Sequence, residues 1–122
     1  MKVNISSEDH IKIVWFESDV GDEKGVDVDL DSSPLLRERL VELTDAHEKA
    51  VVVDLENVKY MDSSGIATLV EALQKIKKYG GQLWLTNLSD TVRSVFELSR
   101  LDRVFDISPT LDEAKKRLME AD

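Results

Sequence analysis

The feature that most constrains the fold is a strand–turn–helix pattern near the middle of the chain. The segment VVVDL at residues 51–55 is a run of β-branched and apolar residues, and the turn MDSSG follows at residues 61–65. An amphipathic helical pattern begins directly after this turn, with apolar residues at Ile66, Leu69, Val70, Leu73 and Ile76. Helical periodicity therefore predicts a central strand followed by a helix that buries this stripe against the sheet, and that leaves Glu71, Lys75 and Lys78 in water.

Strand and helix patterns alternate along the rest of the chain. Strands are predicted at residues 11–16, 26–30, 82–86 and 104–107, and helix caps at Ser33, at Ser89 or Asp90, and at Thr110. Because helical crossovers join parallel strands, we predict an α/β fold with a mixed sheet of four or five strands, as one domain over residues 1–122. The first two strands, joined by a polar turn between Gly21 and Gly25, are predicted to pair antiparallel.

Composition excludes several classes of function. The formal net charge of −9 repels phosphate backbones and anionic lipids, so nucleic acid is not an expected partner. The chain has no cysteine, which excludes disulfides and thiolate metal sites and suits a reducing compartment. No apolar run approaches the length of a membrane span. We therefore expect a soluble cytoplasmic protein that does not insert into a membrane.

The turn at residues 61–65 carries the chemistry. It places small hydroxyl side chains at the positive end of a helix, where the dipole and free amides favour an anion. A kinase could reach such a hydroxyl, and the pattern indicates a switch more than a catalyst. The simpler interpretation is a plain strand-to-helix turn, in which Asp62 and the serines cap amides and Gly65 allows a sharp backbone. Two serines besides the aspartate exceed what a cap needs, which favours the switch.

Two other readings of the sequence fail on their own requirements. A serine hydrolase needs a G-x-S-x-G elbow and a base, but Met61 and Asp62 precede Ser63, and the two histidines, His10 and His47, are predicted to be surface residues elsewhere. The acids at residues 27–31 resemble a calcium loop in spacing only, because the required glycine is absent and no helix precedes them. We expect no catalytic residue, no metal and no cofactor.

Several motifs give the chain a family resemblance over residues 26–118. The segments that carry it are YMDSSGI (60–66), KKYGG (77–81), LWL (83–85), VRSVFEL (92–98) and LDRVF (101–105). Together they resemble STAS domains, and within them the bacterial anti-sigma factor antagonists, also called anti-anti-sigma factors.

The resemblance implies a small α/β domain that works by partner switching. The unphosphorylated domain binds an anti-sigma factor with serine-kinase activity and so releases a sigma factor; the kinase phosphorylates the serine directly after the motif aspartate, and a serine phosphatase reverses the modification. That serine is Ser63 here, with Ser64 as the alternative. The implied partner-binding surface comprises Asp29, Asp62, Ser63, Ser64 and Gly65, and the oligomeric state is expected to be a monomer or weak dimer.

One segment departs from the family pattern. Members usually carry a Gly-x-apolar-Asp stretch before the first helix, and Val26 occupies the glycine position here, with Asp29 at the family aspartate. Some STAS proteins serve instead as a subunit of a lipid-transporting ABC complex and retain a serine in the same turn. The sequence leaves that function open as the alternative to sigma-factor control.

Overall fold

A computed structural model describes residues 1–19 and 25–120 of the chain. The strands are Lys2–Glu8 (β1), Ile11–Glu17 (β2), Val26–Val28 (β3), Ala50–Asp54 (β4), Val58–Met61 (β5), Gln82–Thr86 (β6) and Asp106–Ser108 (β7). The helices are Ser33–Asp45 (α1), Ser63–Lys78 (α2), Asp90–Leu98 (α3) and Leu111–Glu120 (α4). A short 3₁₀ turn, Leu101–Arg103, precedes β7.

Five of the strands form one mixed sheet in the order β1-β2-β4-β6-β7. Strands β1 and β2 are antiparallel, whereas β2, β4, β6 and β7 are parallel to one another. Helices lie in each crossover between the parallel strands, as parallel pairing requires. The predicted α/β class, the predicted mixed sheet of four or five strands and the central position of the strand at residues 51–55 are confirmed, and the sheet has five strands.

The sheet buries an apolar layer on each face. In β4, Val51 and Val53 belong to the larger core cluster, which includes buried residues of α1, α2 and α3. Val52 points to the opposite face and belongs to a smaller cluster with Ala114 and Leu118 of α4. A strand covered on both faces needs apolar residues at every position, which explains why this segment lacks alternation.

Helix α2 has the predicted register. Leu69, Leu73 and Ile76 are buried, and Ile66 and Val70 are half-buried against the core. On the outer side Lys78 is exposed, while Glu71 and Lys75 are half-buried and form an ion pair with an N···O distance of 3.7 Å. The apolar stripe therefore sets the helix orientation as the sequence indicates.

The predicted pairing of the first two strands is wrong. Strand β2 pairs antiparallel with β1, which the sequence analysis missed, through a turn in which Asp9 and His10 have φ values of 52° and 66°. Positive φ at both central residues is typical of a type I′ hairpin, usually marked by Asn-Gly. Strand β3 instead pairs parallel with β5 in a separate two-stranded sheet. Of the predicted turn at residues 21–25, residues 21–24 lie outside the described part of the chain.

Local capping chemistry agrees with the predictions at two helices and differs at a third. The Ser89 side chain accepts a hydrogen bond from the Val92 amide at α3, and the Thr110 hydroxyl accepts one from the Glu113 amide at α4, both at 3.2 Å. Helix α1 begins at Ser33, with Ser32 at the N-cap position, so the cap predicted at Ser33 is one residue late.

Candidate phosphoacceptor site

The small sheet formed by β3 and β5 holds the serine turn in place. The two strands run parallel with Val28 opposite Met61, so the segments that follow β3 and β5 begin at the same end of this sheet. The Asp62 amide donates a hydrogen bond of 3.0 Å to the Val28 carbonyl, which ties the start of α2 to the end of β3. Residues from two distant parts of the sequence therefore meet around the turn.

Asp62 is the N-cap of α2. Its Oδ1 atom accepts hydrogen bonds from the Ser64 amide at 2.9 Å, the Gly65 amide at 3.3 Å and the Ser64 hydroxyl at 2.5 Å. The Ser64 hydroxyl is the largest of the causes that hold the pKa of Asp62 below its ordinary value of 3.8; the amides of Gly65, Ser64 and Leu30 act in the same direction, against a partial loss of hydration. Asp62 thus stays ionised and satisfies the first free amides of the helix.

The two serines of the turn occupy different environments. The Ser63 side chain is exposed, and within residues 1–19 and 25–120 its hydroxyl has no hydrogen-bond partner. Ser64 is half-buried, and its hydroxyl proton is directed to Asp62. Of these two serines, Ser63 is therefore the one with an accessible hydroxyl that bonds to none of the residues the structure describes.

The Ser64–Asp62 bond leads to a prediction that separates the two serines. In Ser64→Ala the pKa of Asp62 should rise toward its ordinary value, because the carboxylate loses the hydrogen bond from the Ser64 hydroxyl. In the control variant Ser63→Ala the pKa of Asp62 should not change. Since the wild-type pKa is lowered by folding, the cap's contribution to stability is present above the unfolded-state pKa and is lost as pH falls through the folded-state pKa. Carboxyl-detected NMR titration measures the pKa of Asp62 in each variant. Equal changes of this pKa in Ser64→Ala and Ser63→Ala would contradict the assigned hydrogen bond.

Gly65 is required for close packing rather than for an unusual backbone. Its φ lies outside the positive range, contrary to the sharp turn expected from the sequence. A Cβ atom at this position would lie 2.6 Å from Met61 Cγ and 2.8 Å from Val28 Cγ1, both on buried side chains. The glycine therefore lets the first turn of α2 sit directly on the small sheet that holds the site.

Asp29 lies beside the site and holds the loop that leads into the neighbouring helix α1, whose N-cap residue is Ser32. Its Oδ1 atom accepts hydrogen bonds from the Asp31 amide at 3.1 Å and from the Ser32 hydroxyl at 3.0 Å, and its carbonyl accepts the Ser33 amide at 2.7 Å. The half-buried carboxylate thus shapes the loop between β3 and α1. Asp29 and Asp62 sit at the ends of paired strands, so the structure brings together all of the sequence-predicted site residues.

Two apolar side chains near this turn were missed by the sequence analysis. Leu30, which continues the apolar alternation of Val26 and Val28, is 75% exposed because β3 ends before it. Tyr60, one residue before Met61 in β5, is 44% exposed. The sequence shows that Leu30 is apolar, but only the position where β3 ends shows that the Leu30 side chain faces water.

Neither histidine is placed to activate Ser63. His10 lies in the β1–β2 turn, and His47 follows α1 with its ring stacked on Tyr79 at a centroid distance of 4.6 Å. Among the described residues, the structure shows no group of three or more His, Cys, Asp or Glu side chains that could hold a metal ion. In the same part of the chain no helix is long and apolar enough to cross a membrane.

Three structural features define the class of this protein: the strand order with helical crossovers, the serine turn at a helix N-terminus, and the small flanking sheet. The model of the STAS domain matches residues 26–114, and the chain belongs to the STAS domain family. The resemblance noted in the sequence is thereby confirmed.

Within the family the chain is similar to anti-sigma factor antagonists. It is 36% identical over 92 residues to an anti-sigma-B factor antagonist of Bacillus subtilis, which covers 75% of this chain and 84% of the relative. A solved anti-sigma-factor antagonist (STAS) domain protein from Planctomyces limnophilus superposes with a TM-score of 0.85 at 19% identity, over 98% of this chain and all of that one. The Bacillus cell fate determinant SpoIIAA, solved in its phosphorylated form, has a TM-score of 0.69 at 19% identity, over 94% and 97% of the two chains.

Proposed function

We propose that this protein is a phosphorylation-controlled binding module rather than an enzyme: unphosphorylated, it sequesters an anti-sigma factor serine kinase and so releases a sigma factor in the cytoplasm. The observation that carries the proposal is the exposed hydroxyl of Ser63, which bonds to no other residue in the described part of the chain and lies beside the Asp62–Ser64 pair. The similarity to the B. subtilis anti-sigma-B factor antagonist supports the choice of partner and favours sigma-factor control over the lipid-transport alternative.

The docking surface consists of Leu30, Tyr60, Asp62 and Ser63, with Asp29 shaping the loop at its edge. Leu30 and Tyr60 offer exposed apolar area, while Asp62 adds negative charge. A partner with apolar contacts surrounded by basic residues complements such a surface. The net charge of −9 would also speed the encounter with a basic face.

Phosphorylation of Ser63 acts through this interface and leaves the fold intact. A phosphate adds about −1.5 to −2 charges, and a helix N-terminus tolerates an anion. The Ser64 and Gly65 amides are already bonded to Asp62, so the phosphate extends outward from α2 into the docking surface. There it places unpaired charge next to Asp62 and opposes the burial of Leu30 and Tyr60 by a partner.

The test is a phosphorylation assay with the purified anti-sigma factor kinase and ATP. The wild-type chain and Ser64→Ala should each gain one phosphate, located at Ser63 by mass spectrometry, and a serine phosphatase should remove it. Ser63→Ala should remain unmodified and still bind the kinase, because it loses only the acceptor oxygen. Modification at Ser64 would refute the site, and a chain that binds no such kinase would refute the function.

A further inference from the structure

Strand β1 leaves one edge of the five-stranded sheet without a strand partner in residues 1–19 and 25–120. All of its seven residues pair with β2 on the other side. A long edge strand presents a row of free N–H and C=O groups that can pair with another strand, and folded proteins usually shorten or cover such an edge. The edge of β1 is therefore a candidate interaction surface outside the serine turn.

The hairpin geometry determines which backbone groups face outward. The two-residue turn at Asp9 and His10 closes on the pair Glu8–Ile11, which in such hairpins exchanges both hydrogen bonds. Hydrogen-bonded and non-hydrogen-bonded pairs alternate along an antiparallel ladder. The backbone N–H and C=O groups of the even-numbered residues of β1 therefore point toward β2, and those of the odd-numbered residues point outward. The Phe16 carbonyl, opposite Val3, agrees with this assignment because it accepts a hydrogen bond of 2.9 Å from Asn57 instead. Val3, Ile5 and Ser7 therefore direct their backbone N–H and C=O groups toward the edge, where the Val3 carbonyl already accepts one hydrogen bond, from Arg39.

We propose that β1 pairs antiparallel with β1 of a second copy of this chain, about a two-fold axis at Ile5. In this register Val3 lies opposite Ser7 of the second copy and Ile5 opposite Ile5, and each pair exchanges both of its N–H···O bonds. The remaining positions complement one another: Lys2 faces Glu8 of the second copy at both ends. The strand is thus self-complementary in hydrogen bonds and in charge.

The surroundings of the edge are compatible with this occupant. Arg39 Nε of α1 donates a hydrogen bond of 3.0 Å to the Val3 carbonyl, which has a second lone pair for the Ser7 amide of the other copy. Glu8 is paired with Lys115 through Oε2, and its Oε1 atom, which has no partner among the described residues, can accept a hydrogen bond from Lys2 of the other copy. Ile5 is half-buried against the core, so the two Ile5 side chains meet at the axis.

A second copy fits this edge better than an unrelated strand. Backbone pairing alone would accept many extended segments, but the opposite charges at the two ends select a partner with an acid and a base at the same spacing, and the strand itself has both. The proposal is independent of Ser63, because the serine turn follows β5 of the two-stranded sheet, of which β1 is not a part.

Sedimentation velocity of the full chain over a concentration series tests the proposal. The wild type should form a dimer that exchanges rapidly with the monomer. Ile5→Pro should raise the dissociation constant at least about tenfold, since it removes the central outward N–H while proline is tolerated on an edge strand. Lys2→Glu should raise it about tenfold by turning both end pairs into repulsions. The double variant Lys2→Glu/Glu8→Lys should recover most of the wild-type affinity, and Ser63→Asp should leave self-association unchanged.

The matched control is Lys59→Glu, which makes the same charge change on the exposed face of β5. It should leave the dissociation constant unchanged, and circular dichroism should show that all variants are folded. A monomer at every concentration would overturn the proposal, as would a dimer that Ile5→Pro and Lys2→Glu leave intact. Amide shifts of Val3, Ile5 and Ser7 that occur only on addition of another protein would equally overturn it and reassign the edge to that partner.

Discussion

Phosphorylation of Ser63 is expected to weaken binding to the anti-sigma factor kinase at least about a hundredfold, and Ser63→Asp at least about tenfold. Ser63→Asp has the smaller effect because its carboxylate carries one negative charge, fewer than the phosphate. Both changes add their negative charge beside Asp62 within the docking surface. Neither should destabilise the fold, since an acid in the first turn of α2 complements the helix dipole. Isothermal titration calorimetry measures the affinities, and thermal unfolding checks the fold.

The control for this prediction is Gln74→Glu. Gln74 is exposed on the same helix, three turns from Ser63, so the variant has the net charge of Ser63→Asp without adding charge to the docking surface. Its affinity should stay close to that of the wild type. If Ser63→Asp and Gln74→Glu bind equally well at low salt, local electrostatics at the interface does not operate the switch.

Gly65→Val is expected to lower the free energy of unfolding by about 3 kcal/mol or more, at the upper end of the usual cost of overpacking. Its Cβ would overlap Met61 and Val28, which are 1% and 0% exposed and cannot move without disturbing the core. Gly65→Ala should lower the free energy of unfolding by less, because it adds a single carbon and because alanine has a helix propensity up to about 1 kcal/mol more favourable than that of glycine. Chemical denaturation measures both values.

The matched control here is Ala67→Val, an exposed position two residues along α2. It adds a β-branched side chain to the same helix without a steric overlap, so it should cost less than about 1 kcal/mol through helix propensity alone. Equal losses at positions 65 and 67 would show that the cost at Gly65 is a helix effect and not the contact with the small sheet.

Patterns that depend on near neighbours predicted much of the fold. The apolar run at residues 51–55 and the helical stripe of α2 identified the central strand and the buried face, because burial on a sheet imposes these periods directly. The caps Ser89 and Thr110 were predictable for the same reason: a cap bonds to an amide about three residues away.

Pairing between distant segments was not predictable in this way. Strand β1 is largely polar, its turn lacks the usual Asn-Gly, and β3 bonds to a strand some thirty residues later, which no local pattern records. The sequence alone determined that an aspartate, two serines and a glycine start a helix after a central strand. The structure shows their separate roles: the Asp62 carboxylate accepts a hydrogen bond from the Ser64 hydroxyl, Gly65 packs on Val28 and Met61, and the Ser63 hydroxyl bonds to none of the described residues. The packing of Gly65 and part of the setting of Asp62 depend on the distant segment at β3, which brings Val28 and the Leu30 amide to the turn, and spacing along the chain does not contain that information.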